Sequence, residues 1–346
     1  MVENFLRTTL GFLLVLLLTM VAARDIAAAA APDSGERFEI FVPSAPGGSR
    51  DIYARMMARH MPKFIPGSPA IIVKNMPGAG GDIMLNHLYH RVKQDGSVFA
   101  TGTNAMFRAK RLGLESAQYD LRKFNFIGAM PESPYFVVIR ADHPVKSYND
   151  FLTAPKPVFY GMESPFGGGS TELVGHAMKE GLGAQISFVT GYRGSALRVS
   201  AMLRGEIDAT LDRYSTAVDQ IKDGKMRVLL VLTHGDRVPA DIRGNAPEWF
   251  KLDLTPEVRE LSDFVITPTD LDKTYLAPPG VPPERVKILR EAFEKAMAEP
   301  EVSDFLKKRG AVSPSVRGEV LQNDVAPRLL GVKETTVTKV KAWFGR

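Results

Sequence analysis

Two stretches, Pro43-Ser-Ala-Pro-Gly-Gly-Ser49 and Gly161–Ser170, hold the residues best suited to chemistry. Each follows an apolar segment and precedes a helical pattern. Glycine there lets a ligand approach the backbone, and serine adds hydroxyl donors. The helix starts offer N–H groups and partial positive charge. Such donors suit an anion. Either loop alone is compatible with a plain turn, but one loop in each of two lobes makes a cleft that can close on a carboxylate. Ligands in open α/β sheets bind outside the carboxyl ends of strands, where both loops fall.

Other chemistries find less support. Neither Gly47-Gly48-Ser49-Arg50 nor Gly167-Gly-Gly-Ser170 supplies the lysine of a Walker loop. Gly78-Ala-Gly80-Gly81 lacks the last glycine of a dinucleotide fingerprint, and no G-x-S-x-G elbow occurs. His87 and His90 are spaced to share a helix face, but a zinc site needs further ligands at recognisable spacing. Asp208 and Asp212 prove no acid–base pair, because their separation in space is not readable from sequence. The expectation is no catalytic residue, no metal and no cofactor.

The chain has 346 residues, a formal charge of +5 and no cysteine, which removes disulfides, thiolate sites and a lipid-modified cysteine. Basic residues are dispersed, without the aromatic–basic modules of nucleic-acid readers, so nucleic acid is not the expected target. Arg7 precedes an apolar run from Leu10 to Ala23, and the alanines Ala27–Ala31 follow. That order is expected for a secretory signal over residues 1–31, with a cut near Ala23 or near Ala31 and a periplasmic destination. An uncleaved membrane anchor is the alternative, although the run is shorter than the ~20 residues a span needs.

The elements that must position the loops alternate in α/β fashion. Phe38–Val42, Ala70–Val73, Val98–Thr101, Tyr135–Arg140, Val158–Tyr160, Ile186–Val189, Ala209–Leu211 and Val228–Leu232 read as strands. Ile52, Tyr53, Met56, Met57 and His60 share a helical face after the first loop. Ser147 and Asp150 suit a helix start, and Asp82 suits a cap. Helical stretches are expected near Thr171–Leu182, Ser195–Arg204, Pro283–Ala298, Glu301–Arg309 and Gly318–Phe344. Residues Thr233–Thr274 are charged and interrupted by proline, without an assignable pattern.

Four segments resemble the extracytoplasmic solute-binding receptors of tripartite tricarboxylate transporters, the Bug-type proteins. They are Phe41-Val-Pro-Ser-Ala-Pro-Gly-Gly-Ser-Arg-Asp51, Val73-Lys-Asn-Met-Pro-Gly-Ala-Gly-Gly81, Tyr192-Arg-Gly194 with Leu203-Arg-Gly-Glu-Ile-Asp208, and Leu276-Ala-Pro-Pro-Gly-Val-Pro-Pro-Glu284 with Pro300-Glu-Val302 and Gly310 downstream. The resemblance implies a type II periplasmic-binding-protein fold, with two α/β lobes joined by crossover strands around a ligand cleft. It implies a first lobe at 32–138, a second at 139–264, and a return to the first with C-terminal helices at 265–346. It further implies binding of a small organic carboxylate by Ser44, Gly47, Gly48, Ser49 and Asp51, facing Gly168, Gly169, Ser170 and Thr171. Thr103 and Asn104 on the same rim, with Tyr192 and Asp212, complete the expected site. Asp51 has two readings: it orients the loop or caps the helix, or it contacts an amino or hydroxyl group. The first is preferred, because a bare carboxylate repels an anion.

The departures are local. Relatives often carry histidine soon after the second-lobe serine, whereas here Glu172 and Leu173 stand there and His176 lies a turn later. Met162, Glu163 and Phe166 make the second loop bulkier and more acidic, which admits an aromatic or amino-bearing carboxylate. The resemblance implies delivery to integral-membrane transporter subunits, with a monomer the simplest expectation. A sensor passing the same ligand class to a membrane kinase, and an exported hydrolase, are the alternatives.

Overall fold

The computed structural model describes residues 37–164, 169–233, 238–311 and 314–345. The expected signal segment, Gly168 and Phe166 lie outside the described residues. Eleven strands are described: β1 Phe38–Val42, β2 Ile71–Asn75, β3 Val98–Thr101, β4 Asn125–Ala129, β5 Tyr135–Arg140, β6 Val158–Gly161, β7 Ile186–Val189, β8 Ala209–Arg213, β9 Met226–Val231, β10 Thr274–Ala277 and β11 Val316–Arg317. They form a six-stranded sheet in the order β11-β4-β10-β3-β1-β2 and a five-stranded sheet in the order β7-β6-β8-β5-β9. In the first, β1 is parallel to β2 and β3, while β10 runs antiparallel between β3 and β4. In the second, β6 is parallel to β7 and β8, and β5 is antiparallel to β8 and β9. Helices cover both sheets, giving the two α/β lobes expected.

The apolar runs become central strands because both of their faces are covered. All four residues of β3 and of β10 are buried. β4 and β10 are absent from the sequence reading. Gly128 interrupts the apolar run of β4, yet a Cβ there would stand 2.3 Å from the Phe293 ring. The glycine permits that close approach.

The chain crosses from the first sheet to the second at 130–134 and returns at 272–273, ahead of β10. The first crossing precedes the expected boundary at 138. Within Thr233–Thr274 the structure places a helix, Pro256–Val265, whose N-terminus is capped by Thr255 with proline in the first turn. Val258, Leu261, Phe264, Val265 and Ile266 of this region pack in the second-lobe core beside Trp249. The Trp249 indole donates to Ser262 Oγ at 2.7 Å. The expected helical stretch Gly318–Phe344 is broken after Leu330, and Glu334–Ala342 is a separate helix. At the chain's end, among the C-terminal helices, Val337, Val340 and Phe344 bury themselves in the second-lobe core. Among the described residues, three passages of chain therefore link the lobes.

Candidate functional site

The first loop joins β1 to the helix Ser49–His60 and is braced from beneath. Asp51 Oδ2 accepts bonds from the Gly47 N–H and from Arg55 Nε, both at 2.9 Å. Its Oδ1 accepts from Asn75 Nδ2 at 2.9 Å, and the same amide donates to the Ser44 carbonyl at 2.9 Å. Asp51 is 2 % exposed, and the Arg55 bond, with those from Gly47 and Asn75, holds its carboxyl down to about 2. The geometry thus fits loop orientation rather than ligand contact. The Asn75–Gly81 stretch has a matching role. Gly81 has φ 109°, and a Cβ on it would stand 2.9 Å from Thr103 Cγ2. Thr103 Oγ1 donates to the Gly80 carbonyl at 3.0 Å, so its hydroxyl is committed within the lobe. Asp82 does not cap its helix: its carboxylate accepts from Ser116 and Tyr119.

On the facing side, Gly169 precedes the helix Ser170–His176. Among the described residues no side chain caps that helix, nor the one beginning at Ser49 behind Gly48. Away from the cleft, by contrast, Ser147 and Asp150 form a capping box. Asn104 Nδ2 donates to Ser170 Oγ at 3.2 Å, which joins a first-lobe rim residue to a second-lobe one. Glu172 accepts from the N–H groups of Glu163 and Ser164 at 2.9 and 3.2 Å. Its carboxylate therefore ties down the second loop. Met162 is buried in the second-lobe core and adds no bulk to the cleft. Thr171 is buried, and its carbonyl accepts from the Tyr160 hydroxyl at 3.0 Å. His176 stacks on Trp343 with ring centroids 5.3 Å apart, and burial lowers its pKa.

Tyr192 and Asp212 stand apart from this rim. The Tyr192 hydroxyl donates to Glu206 at 3.3 Å on the flank of the second lobe. Asp212 is fully buried and accepts from Ser195 Oγ at 2.6 Å and from the Arg213 N–H at 2.8 Å. Burial raises its pKa, against the bond from Ser195 and the charge of Arg198. Asp208, considered with it as an acid–base pair, accepts instead from the Phe159 N–H at 3.0 Å.

Between the lobes lies a cavity of about 460 Å³, within the range of small-molecule sites. Of the expected residues, Ser49 and Asn104 line it; Ser44, Gly47, Gly48 and Asp51 belong to the loop and helix start behind Ser49. Its floor is formed by the crossovers, with Glu132 and Ser133 from one and Asp272 and Lys273 from the other. Ser215 and Thr216 line it from the first turn of the helix Tyr214–Lys222, whose Ser215 N–H donates to Ser133 Oγ at 2.8 Å and whose Tyr214 N–H donates to the Pro134 carbonyl at 2.9 Å. Sequence reasoning missed these floor residues and the cations Arg50, Arg213 and Arg309. Arg50 pairs with Asp272, Arg213 Nη1 lies 2.9 Å from Glu132 Oε2, and Lys273 pairs with Glu132. Burial pushes Lys273 well below the usual lysine value, with Arg50 and Arg309 adding to the shift. The only available signal was a basic residue directly after an acid at two strand ends, Asp212-Arg213 and Asp272-Lys273. No motif marks it.

Chemically, the cavity offers hydroxyls, an amide, the helix start at Ser49 and cations. No group of three His, Asp or Glu side chains is placed to hold a metal among the described residues. None of the described helices is long and apolar enough to cross a membrane.

Known proteins agree with this architecture. The sequence profile described as "Tripartite tricarboxylate transporter family receptor" matches residues 53–319. The Agrobacterium vitis "UPF0065 protein in the TAR-I ttuE-ttuC' intergenic region" is 26% identical over 282 residues, 79% of this chain and 75% of the relative. The crystal structure of a TctC solute binding protein from Polaromonas superposes with a TM-score of 0.70 at 22% identity, covering 88% of this chain and 98% of the other. An R. palustris protein solved with adipate superposes at 0.61 with 20% identity, covering 88% and 97%. With its two α/β lobes and interlobe cavity, this chain belongs to the tripartite tricarboxylate transporter receptor family.

Proposed function

We propose that this chain captures a small organic carboxylate between its lobes and hands it to the integral-membrane subunits of a tripartite tricarboxylate-type transporter. It does so as a monomer, after export directed by residues 1–31, and without a cofactor. The observation that carries the reading is the interlobe cavity, where the helix start at Ser49, the hydroxyls of Ser215 and Thr216 and the side chains of Arg50 and Arg213 converge from opposite lobes. Oriented N–H groups and cations in a partly dry cleft favour an anion. A ligand touching both lobes stabilises the closed arrangement over the open one, which is how binding becomes a shape that a membrane partner can read. The relative solved with adipate supports the ligand class. The cation-rich lining disfavours an amino-bearing ligand, whose ammonium it repels.

A thermal-shift screen of aliphatic and aromatic carboxylates tests this reading. A true ligand at 100 times its Kd adds about 2.7 kcal/mol to native stability. Gly169→Trp, which puts an indole at the rim, should abolish that shift. Absence of any shift across the panel, from folded protein, refutes the carboxylate class.

A further inference from the structure

One stretch of the first lobe, Asn104 to Leu112, carries most of the side chains that meet the second lobe behind the cavity rim. Most of its contacts hold the lobes together. Asn104 Nδ2 donates to Ser170 Oγ at 3.2 Å, and Leu112 is buried in the second-lobe core together with Val332. Arg111 donates from Nη1 to the Leu330 carbonyl and from Nη2 to the Val332 carbonyl, both at 2.6 Å. It thereby grips the chain where it leaves the first lobe for the last time. From the other side, Glu260 of the helix Pro256–Val265 accepts from the Lys333 N–H at 2.6 Å.

Arg108, in the same stretch, differs. It is 1 % exposed, and its one hydrogen bond runs from Nη1 to the Val265 carbonyl of the second lobe, at 3.3 Å. Its Nε and Nη2 are buried without a partner among the described residues. Asp272, whose charge it feels, gives its own bond to Arg50. Burial pulls the guanidinium down to about 10, against the charge of Asp272. The carboxyl end of the helix Pro256–Val265 compensates only in part. A buried cation with open donors is unfavourable, and parting of the seam lets water reach both nitrogens. We infer that Arg108 is a built-in opening element: its under-satisfied guanidinium destabilises the joined arrangement of the lobes, against Arg111 and Leu112, which stabilise it. The empty protein therefore stays able to open, and a ligand that touches both lobes tips a balance set close to even. The inference depends on the two-lobe fold and holds whatever the cavity takes.

The absence of cysteine makes the test direct. Lys74→Cys and Arg193→Cys replace exposed side chains, one on β2 of the first sheet and one just beyond β7 of the second, and place one spin label on each lobe. Pulsed electron resonance then reads the interlobe distance in the ligand-free mature chain. Arg108→Met, of similar length and uncharged, should raise the ratio of joined to parted lobes by about tenfold or more and shorten the mean distance. Arg111→Gln should lengthen it. An unchanged or longer distance in Arg108→Met, or a shift in the same direction in both variants, overturns the inference. So does a parent protein that shows the joined population alone. Loss of folding in both Arg108→Met and Arg108→Leu would make the buried charge a requirement of the fold and overturn it too. No ligand enters the measurement, so its failure leaves the receptor reading standing.

Discussion

Replacing Asp51 by asparagine separates a brace from a ligand contact. The substitution keeps the shape and removes the charge that gathers Gly47, Arg55 and Asn75. The native carboxyl sits at about 2 against an ordinary 3.8, which corresponds to about 2 kcal/mol at 1.36 kcal/mol per unit. Arg55 is half exposed, with 54 % of its side chain accessible, so solvent screening trims the loss to about 1–2 kcal/mol. For a protein of this size that lowers Tm by about 2–4 °C. The sign with pH follows from the depressed value. The contribution is complete above the unfolded carboxyl's range and disappears as pH falls toward 2, so wild type and variant should converge between pH 4 and 2. Thermal unfolding across that range, together with carboxylate affinity at pH 7, makes the assay. Affinity should fall by less than about tenfold, because the helix start moves but loses no ligand contact. An unchanged Tm with binding abolished would refute the bracing role and restore direct ligand contact by Asp51.

Three other outcomes follow. Asn104→Ala removes the bond to Ser170 and should expand the unliganded protein measurably in small-angle scattering, at a cost of about 1 kcal/mol to the closed form; unchanged scattering would show that the bond does not hold the lobes together. Trp249→Phe removes the indole N–H that donates to Ser262 Oγ, leaving that buried oxygen without its donor, and should cost about 1–2 kcal/mol in urea unfolding without changing ligand affinity. Gly128→Val drives a side chain into the Phe293 ring and should destabilise by about 1–3 kcal/mol or more, visible as a lowered urea midpoint; a neutral result would mean that β4 and its covering helix are not packed as described.

Legibility in the sequence follows physical lines. Strands rich in β-branched and aromatic residues, such as Phe38–Val42 and Tyr135–Arg140, were readable because local pattern and final environment agree. β4 was hidden by Gly128, whose presence answers to a side chain far along the chain. The helix Pro256–Val265 was hidden by proline and charge, although Thr255-Pro256 is a cap followed by a first-turn proline and marks its start. The loop end of the site was legible because glycine and serine cluster in sequence. The cavity floor was not, since Glu132, Arg213, Lys273 and Arg309 meet only through the crossings between sheets. Tyr192 is the opposite case: its motif is legible in the sequence, while its hydroxyl donates to Glu206, a contact the motif does not announce.

The order of strands also governs when each half can fold. The second sheet takes all five of its strands from one continuous stretch, Tyr135 to Val231. The first cannot close its middle until β10 inserts between β3 and β4, and β10 begins only at Thr274. Such non-local pairing is slow, since a long loop must be ordered before its contacts repay the cost. A chain emerging from its N-terminus therefore carries an unfinished first lobe until nearly all of it has been made. Delayed closure leaves the cleft unassembled until both of its walls are present.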